Sequence, residues 1–237
     1  MGLPRRRRRP LGPVLKARGR TRFCVPVPLS FPNDYPALLA EIDTWQARAR
    51  TNHPGVIPCQ AGCSACCRGP FDISVADALL VRDAVRSLAP ADRAEIGHRA
   101  RAQIGRMREA EPELAPPWDV GTLGERRFDA LCETLAREPC PALDTAGRCR
   151  IYDHRPMICR LMGLGVRTVA GQVIENACPI QDDFPAYRRL EPQVFDMDRW
   201  DVAQEPLLAS AALELFGTEE RSGYETTVAG AVLLDLP

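Results

Sequence analysis

Lysine is almost missing from this chain of 237 residues, where a single Lys16 stands against thirty arginines. That skew points to a GC-rich coding sequence rather than to thirty functional choices. Long apolar runs are missing as well. No stretch approaches the ~20 residues of a membrane-spanning helix, and Pro10, Pro13, Lys16, Arg18 and Arg20 break up any secretory h-region after the arginine run Arg5 to Arg9. The sequence contains no G-x-S-x-G, no G-x-x-x-x-G-K-[ST], and no G-x-G-x-x-G after a strand. Nucleophile-elbow hydrolysis, P-loop nucleotide chemistry and a dinucleotide fold therefore have no anchor here. With nothing directing secretion, the expectation is a cytoplasmic, reducing location with no membrane span, where cysteines serve as thiols rather than disulfides.

What is present is ordinary bulk with a strongly polarised start. Hydrophobic residues make up 45% of the chain, a normal share for a soluble globular protein. Residues 1–22 hold nine of the 31 basic side chains and none of the 31 acidic ones, so the neutral whole conceals an acidic body. The basic, Pro-rich stretch 1–33 reads as a disordered tail, and 34–237 as a single Cys-rich domain with its cysteine core at 59–179. Such a tail touches nucleic acid by counterion release only weakly, so a nucleic-acid partner is not expected.

Eight of the ten cysteines fall into two groups. CQAGCSACC places Cys59, Cys63, Cys66 and Cys67 within nine residues, and Cys140, Cys149, Cys159 and Cys178 follow in PCPALDTAGRCRIYDHRPMICR and NACPI. Thiols this dense converge on soft cations without costly loop closure, and each set matches the four ligands of a tetrahedral zinc or an iron–sulfur cluster. On a helical turn Cys63 and Cys67 would share a side while Cys66 diverges from its neighbour, which suggests two sites or one polynuclear site. A thioredoxin-type C-x-x-C lacks its preceding strand. Pro141 and Pro179 fix the chain just after a cysteine. Arg68, Tyr152, His154, Arg155 and Arg160 are candidates for a surrounding shell that offsets thiolate charge, with His154 a hydrogen-bonding residue rather than a ligand. Cys132 reads as core; Cys24, His53 and His98 receive no role.

The periodicity predicts a mainly α fold with one small hairpin. Leu38, Leu39, Ile42 and Trp45 recur at helical spacing in 36–50. Ser74 with Asp77 three residues on forms a capping box before Ala78, Val81, Val85 and Leu88. Further helices are expected over 91–111, with Ile96, Ala100, Ile104 and Met107 inward, over 125–137, and over 202–216, the last of them ending at Gly217. LGVRTVAGQVIEN reads as a hairpin turning at Ala170-Gly171. The conformation of VAGAVLLDLP stays open.

The order C-x3-C-x2-C-C-R, then C-P-x-L-x5-C-x-I-Y-x2-R-P-x2-C-R, then a final C-P resembles the YkgJ-type cysteine-cluster proteins, the zinc- or iron-chelating domains of the CxxCxxCC class. The resemblance covers Cys59 to Pro179 and implies a metal-bound, mainly helical domain with loose links to iron–sulfur oxidoreductases. About seventy residues separate Cys67 from Cys140 here, a long helical insert. Three functions compete: a zinc or iron/iron–sulfur binding protein using two groups of four thiolates, an iron–sulfur redox enzyme, and a thiol–disulfide redox sensor.

Overall fold

The computed structural model describes residues 34–60, 62–175 and 178–234, and one compact unit spans Phe31–Pro237. The basic tail and Cys24 lie outside the described residues. The fold is mainly helical: eight α-helices and five two-residue strands, counted among the described residues. None of these helices is long and apolar enough to cross a membrane.

Helix α1, Asp34–Asn52, buries Leu38, Leu39, Ile42 and Trp45 as their spacing requires. Strand β1, Ile73–Ser74, leads into α2, Val75–Ser87, whose first turn is capped as expected, with the Ser74 hydroxyl accepting from the Asp77 amide at 3.2 Å. Helix α2 is buried on nearly every side because α3 (Pro90–Ala110), α7 (Met197–Phe216) and α8 (Val228–Leu233) pack around it. Helix α3 turns Ile96, Ala100, Ile104 and Met107 inward, the stripe read from its sequence. Helix α4 covers Glu125–Thr134, and α1 also packs on α7 and on the short α5, Met157–Leu161.

The C-terminal region departs from expectation. Helix α7 starts at Met197, five residues before the predicted start, because the Asp196 carboxylate caps it by accepting from the Arg199 amide at 3.1 Å. It ends at Gly217, whose φ of 72° suits the left-handed cap. It is not the last helix. The apolar VAGAVL segment forms α8, capped by Thr227 and buried along its whole length against α2 and α3. A helix buried on every face shows no amphipathic period to read. Gly230 permits this packing, since a Cβ there would collide with the Thr226 hydroxyl and the Trp118 side chain.

Two small sheets complete the fold. Strand β1 pairs antiparallel with β5, Glu225–Thr226, joining the exit of the first cysteine loop to the C-terminal helix. Strands β2 (Val166–Arg167) and β3 (Val173–Ile174) form the expected hairpin, with Gly171 at φ 82° in its turn. Downstream, α6 covers Pro185–Arg188, and β4, Gln193–Val194, adds parallel to β2. That long-range pairing has no local sequence signal.

Candidate metal centre

The first cysteine loop is built from turns, not from a helix. The Cys63 amide donates to the Gln60 carbonyl at 3.0 Å and the Cys67 amide to the Ser64 carbonyl at 3.1 Å, so the helical face-sharing expected for Cys63 and Cys67 does not apply. The neighbouring Cys66 and Cys67 interact electrostatically. A short backbone ladder then joins the two sequence groups. The Cys140 amide donates to the Cys67 carbonyl at 2.9 Å, the Gly69 amide to the Glu138 carbonyl at 2.7 Å, and Arg68 bridges antiparallel to Pro139.

Cys140 and Cys149 flank a tight loop closed by Asp144. Its carboxylate accepts from the amides of Ala146 and Arg148 at 2.9 and 2.8 Å, and the Arg148 amide, above all, holds it below the usual carboxylate range. Just past Cys149, Arg150 pairs with Asp92 and Glu95 at 2.7 Å each, tying this loop to the first turns of α3. Arg106 of α3 pairs with Glu138 at 2.5 Å. The long insert between the cysteine groups thus braces the second group.

Cys159 rides on α5. The start of that helix is held by Asp77 of α2, whose carboxylate accepts from the Met157 amide at 3.0 Å and the Tyr35 hydroxyl at 2.8 Å. Burial pushes this carboxyl up to about 6 against an ordinary 3.8, partly offset by those bonds. Between about pH 4 and pH 6 folded Asp77 therefore keeps a proton that the unfolded chain has released, and stability falls as pH rises through that window. The full effect is about 3 kcal/mol for two pKa units. Asp77→Asn, which keeps an acceptor for Met157 and Tyr35, should flatten this slope in denaturant melts taken from pH 4 to 7; an unchanged slope would assign it to other groups.

The thiols interact electrostatically in two sets that cut across the sequence groups. Cys140 senses Cys149 and Cys66, Cys159 senses Cys140, Cys149 and Cys66, and Cys66 senses its neighbour Cys67. Cys59 senses Cys178 and Cys63, with the Tyr187 hydroxyl 3.9 Å from its sulfur. All eight are free thiols, half-buried except for the buried Cys178. Burial pushes Cys140 up to about 12 and raises Cys149, Cys159 and Cys59; Cys66 is raised above all because its thiol proton is held toward Cys67, and by burial next. Thiols crowded into a poorly solvated pocket ionise only beside a compensating positive charge, so the donor set fits a soft cation. The side chains do not stand converged on one: among the described residues no three Cys, His, Asp or Glu, as placed, could hold a single ion.

The candidate surrounding residues divide. Arg155 is the cation at the larger set, opposing the upward shifts of Cys66 and Cys149. Its guanidinium lies 3.7 Å over the Tyr152 ring and 3.6 Å from Asp43, and its Nε is buried without a hydrogen-bond partner. Arg160 is buried and turned toward α1, bonding Asp43 and the carbonyls of Arg155 and Asp153. Arg68 is exposed and donates to the Arg137 carbonyl at 3.3 Å, and His154 is exposed. Cys132, half-buried on α4, reaches the Pro70 carbonyl at 3.1 Å. Asp43 and Tyr187 carry no spacing signal, and that of Asp77 marks only the cap of α2, because each joins the site from a distant element.

Compared with known proteins, residues 58–179, just over half of the chain, match the CxxCxxCC family, described as "Putative zinc- or iron-chelating domain". No curated protein and no solved structure gives a significant match. The chain belongs to the CxxCxxCC family.

Proposed function

We propose that this member of the CxxCxxCC family binds zinc or iron through the thiolates of Cys59, Cys63, Cys66, Cys67, Cys140, Cys149, Cys159 and Cys178, and that the metal is structural or stored. The observation that carries this reading is the ladder between Cys67 and Cys140, which mixes the thiols of two groups about seventy residues apart. Bound metal supplies the positive charge that lets these thiols ionise. The protein's part is to hold them close in a dry pocket, with Arg155 as a standing counter-charge. Eight thiolates fill the coordination positions and leave none open for substrate. A polynuclear iron centre is the second reading, favoured by the crowding of Cys66, Cys140, Cys149 and Cys159. Residues 34–237 act as one Cys-rich domain in a reducing, cytoplasmic setting.

Elemental analysis and a visible spectrum of anaerobically purified protein test the proposal. Stoichiometric zinc without colour is expected for mononuclear sites, and broad visible absorption with iron for a cluster. Folded protein that holds no metal even after reconstitution with either ion would overturn both readings.

A further inference from the structure

Tyr187 lies eight residues beyond the segment that matches the family, yet its hydroxyl borders one of the clustered thiols. It rides on α6 and is 1% exposed, so packing fixes where its ring stands. The hydroxyl donates to the Gly163 carbonyl, and the Cys59 sulfur stands 3.9 Å from the same oxygen. A phenol has one proton to give and lone pairs to accept with. With that proton on Gly163, the oxygen accepts and the neutral Cys59 thiol is the donor. The bonds thus run from the Cys59 thiol to the Tyr187 hydroxyl to the Gly163 carbonyl.

Gly163 is shaped around this contact. It adopts φ 94°, and a Cβ there would stand 2.8 Å from the Tyr187 hydroxyl and 3.2 Å from the Cys59 sulfur. Both atoms therefore lie against one bare stretch of backbone, four residues past Cys159. The Cys59 backbone is held separately, since Arg50 of α1 donates to its carbonyl. What is left to set is the direction of the sulfur, and the Tyr187 hydroxyl is placed to set it.

From this contact we infer that Tyr187 is a positioning residue for the metal centre: its hydroxyl, which accepts from Cys59 in the metal-free protein, turns to donate to the Cys59 thiolate in the loaded one. This rests on the metal-binding reading above, and within it on Cys59 being a ligand. Ligation sends the Cys59 thiol proton to solvent, after which the sulfur only accepts. The phenol keeps its own proton throughout and now meets two acceptors, a neutral carbonyl and a charged sulfur. Hydrogen bonds to a charged partner are about twice as strong as neutral ones, so the proton turns to the sulfur and the contact shortens. Such a bond fixes the sulfur's orientation and draws charge from it, as partners of metal-bound side chains do.

Cobalt(II) titration of the full-length, metal-stripped, reduced protein tests this, because it reads both the affinity and the sulfur-to-cobalt charge-transfer bands. Tyr187→Phe keeps the ring and removes the hydroxyl. It should weaken cobalt binding by about tenfold or more, the usual cost of losing a ligand's partner. It should also move the charge-transfer bands to lower energy, since a sulfur without its hydrogen bond gives up an electron more readily. In a Cys59→Ala background the same change should leave both readouts alone. The bands decide. A hydroxyl that merely fastens Gly163 would leave them in place when removed, so bands that stay put in Tyr187→Phe, or shift equally without Cys59, overturn the inference whatever the affinity does. If Tyr187→Phe does not fold, wild type loaded with cadmium-113 settles the matter by proton NMR: a tyrosine hydroxyl proton coupled to cadmium through the sulfur supports the inference, and the absence of any such coupling overturns it. Wild type that binds cobalt with a Tyr187→Phe spectrum identical to its own would sink this inference alone. Failure of wild type to bind any cobalt, zinc or iron would sink the metal-binding reading with it.

Discussion

Stripping the metal with a chelator under reducing conditions should melt the cysteine loops and leave the helical frame standing. The loops are held by bridges and ion pairs more than by apolar packing. Between α1 and β1, and again between α4 and α5, the backbone runs through turns, isolated bridges and a single 3-10 turn, and places only a few side chains, Leu135, Ala142, Leu143 and Ile151, in the core. The frame differs: Leu39, Ile42, Val75, Leu79, Ile96, Ile104 and Trp200 are all at most 3% exposed and need no ion to pack. Structural zinc contributes roughly 10–16 kcal/mol in small metal-dependent domains, comparable with the whole ~5–15 kcal/mol stability of a globular protein. Hydrogen exchange is the measurement that separates the two regions. Amides of residues 56–72 and 138–162 should lose nearly all protection on chelation, while those of α2, α3 and α7 keep most of theirs. Unchanged protection of the cysteine loops after verified metal removal would show that their turns are stable without an ion.

The helical frame is the part that the sequence spells out, since it rests on local rules. Ser74 caps α2, Gly217 closes α7, and the stripe from Ile96 to Met107 faces inward, each because the residue's own chemistry decides its conformation. The same locality explains the failures. Helix α8 has no polar face to give it a period, so VAGAVL could not be distinguished from a buried strand. The cysteines announced a thiol site by density alone, but their grouping in space depends on the Cys67–Cys140 ladder and on turns within 59–67, which fold the chain against its sequence order. Tyr187, Asp77 and Asp43 reach the site from α6, α2 and α1. No spacing rule reaches that far.

Arg160 illustrates how a residue beside a cysteine can serve the chain rather than the sulfur. Its place next to Cys159 suggests a counter-charge for thiolates, yet its guanidinium points to α1, where it meets Asp43, and to the carbonyls of Asp153 and Arg155 at 2.7 and 2.9 Å. Its own carbonyl accepts from Gln46 of α1 at 3.0 Å. One buried side chain therefore fastens the turn between Cys149 and Cys159 to α1. Arg160→Met removes the donors and strands two backbone carbonyls, while Asp43, 43% exposed, can turn to water, so the change costs about 1–3 kcal/mol. For a chain of this size that corresponds to a fall in Tm of roughly 5 °C. Arg160→Lys should recover only part of it, because one ammonium group cannot span acceptors placed for a planar fork. Arg68→Ala, at an exposed guanidinium with a single carbonyl contact, should shift Tm by no more than a degree or two. The pattern that counts is stability against metal affinity. A counter-charge to the thiolates would, when removed, weaken metal binding while leaving the metal-free protein as stable as before; a fastening of α1 to the loop should instead lower the melting temperature of the metal-free protein first, with metal affinity falling only as the loop loosens.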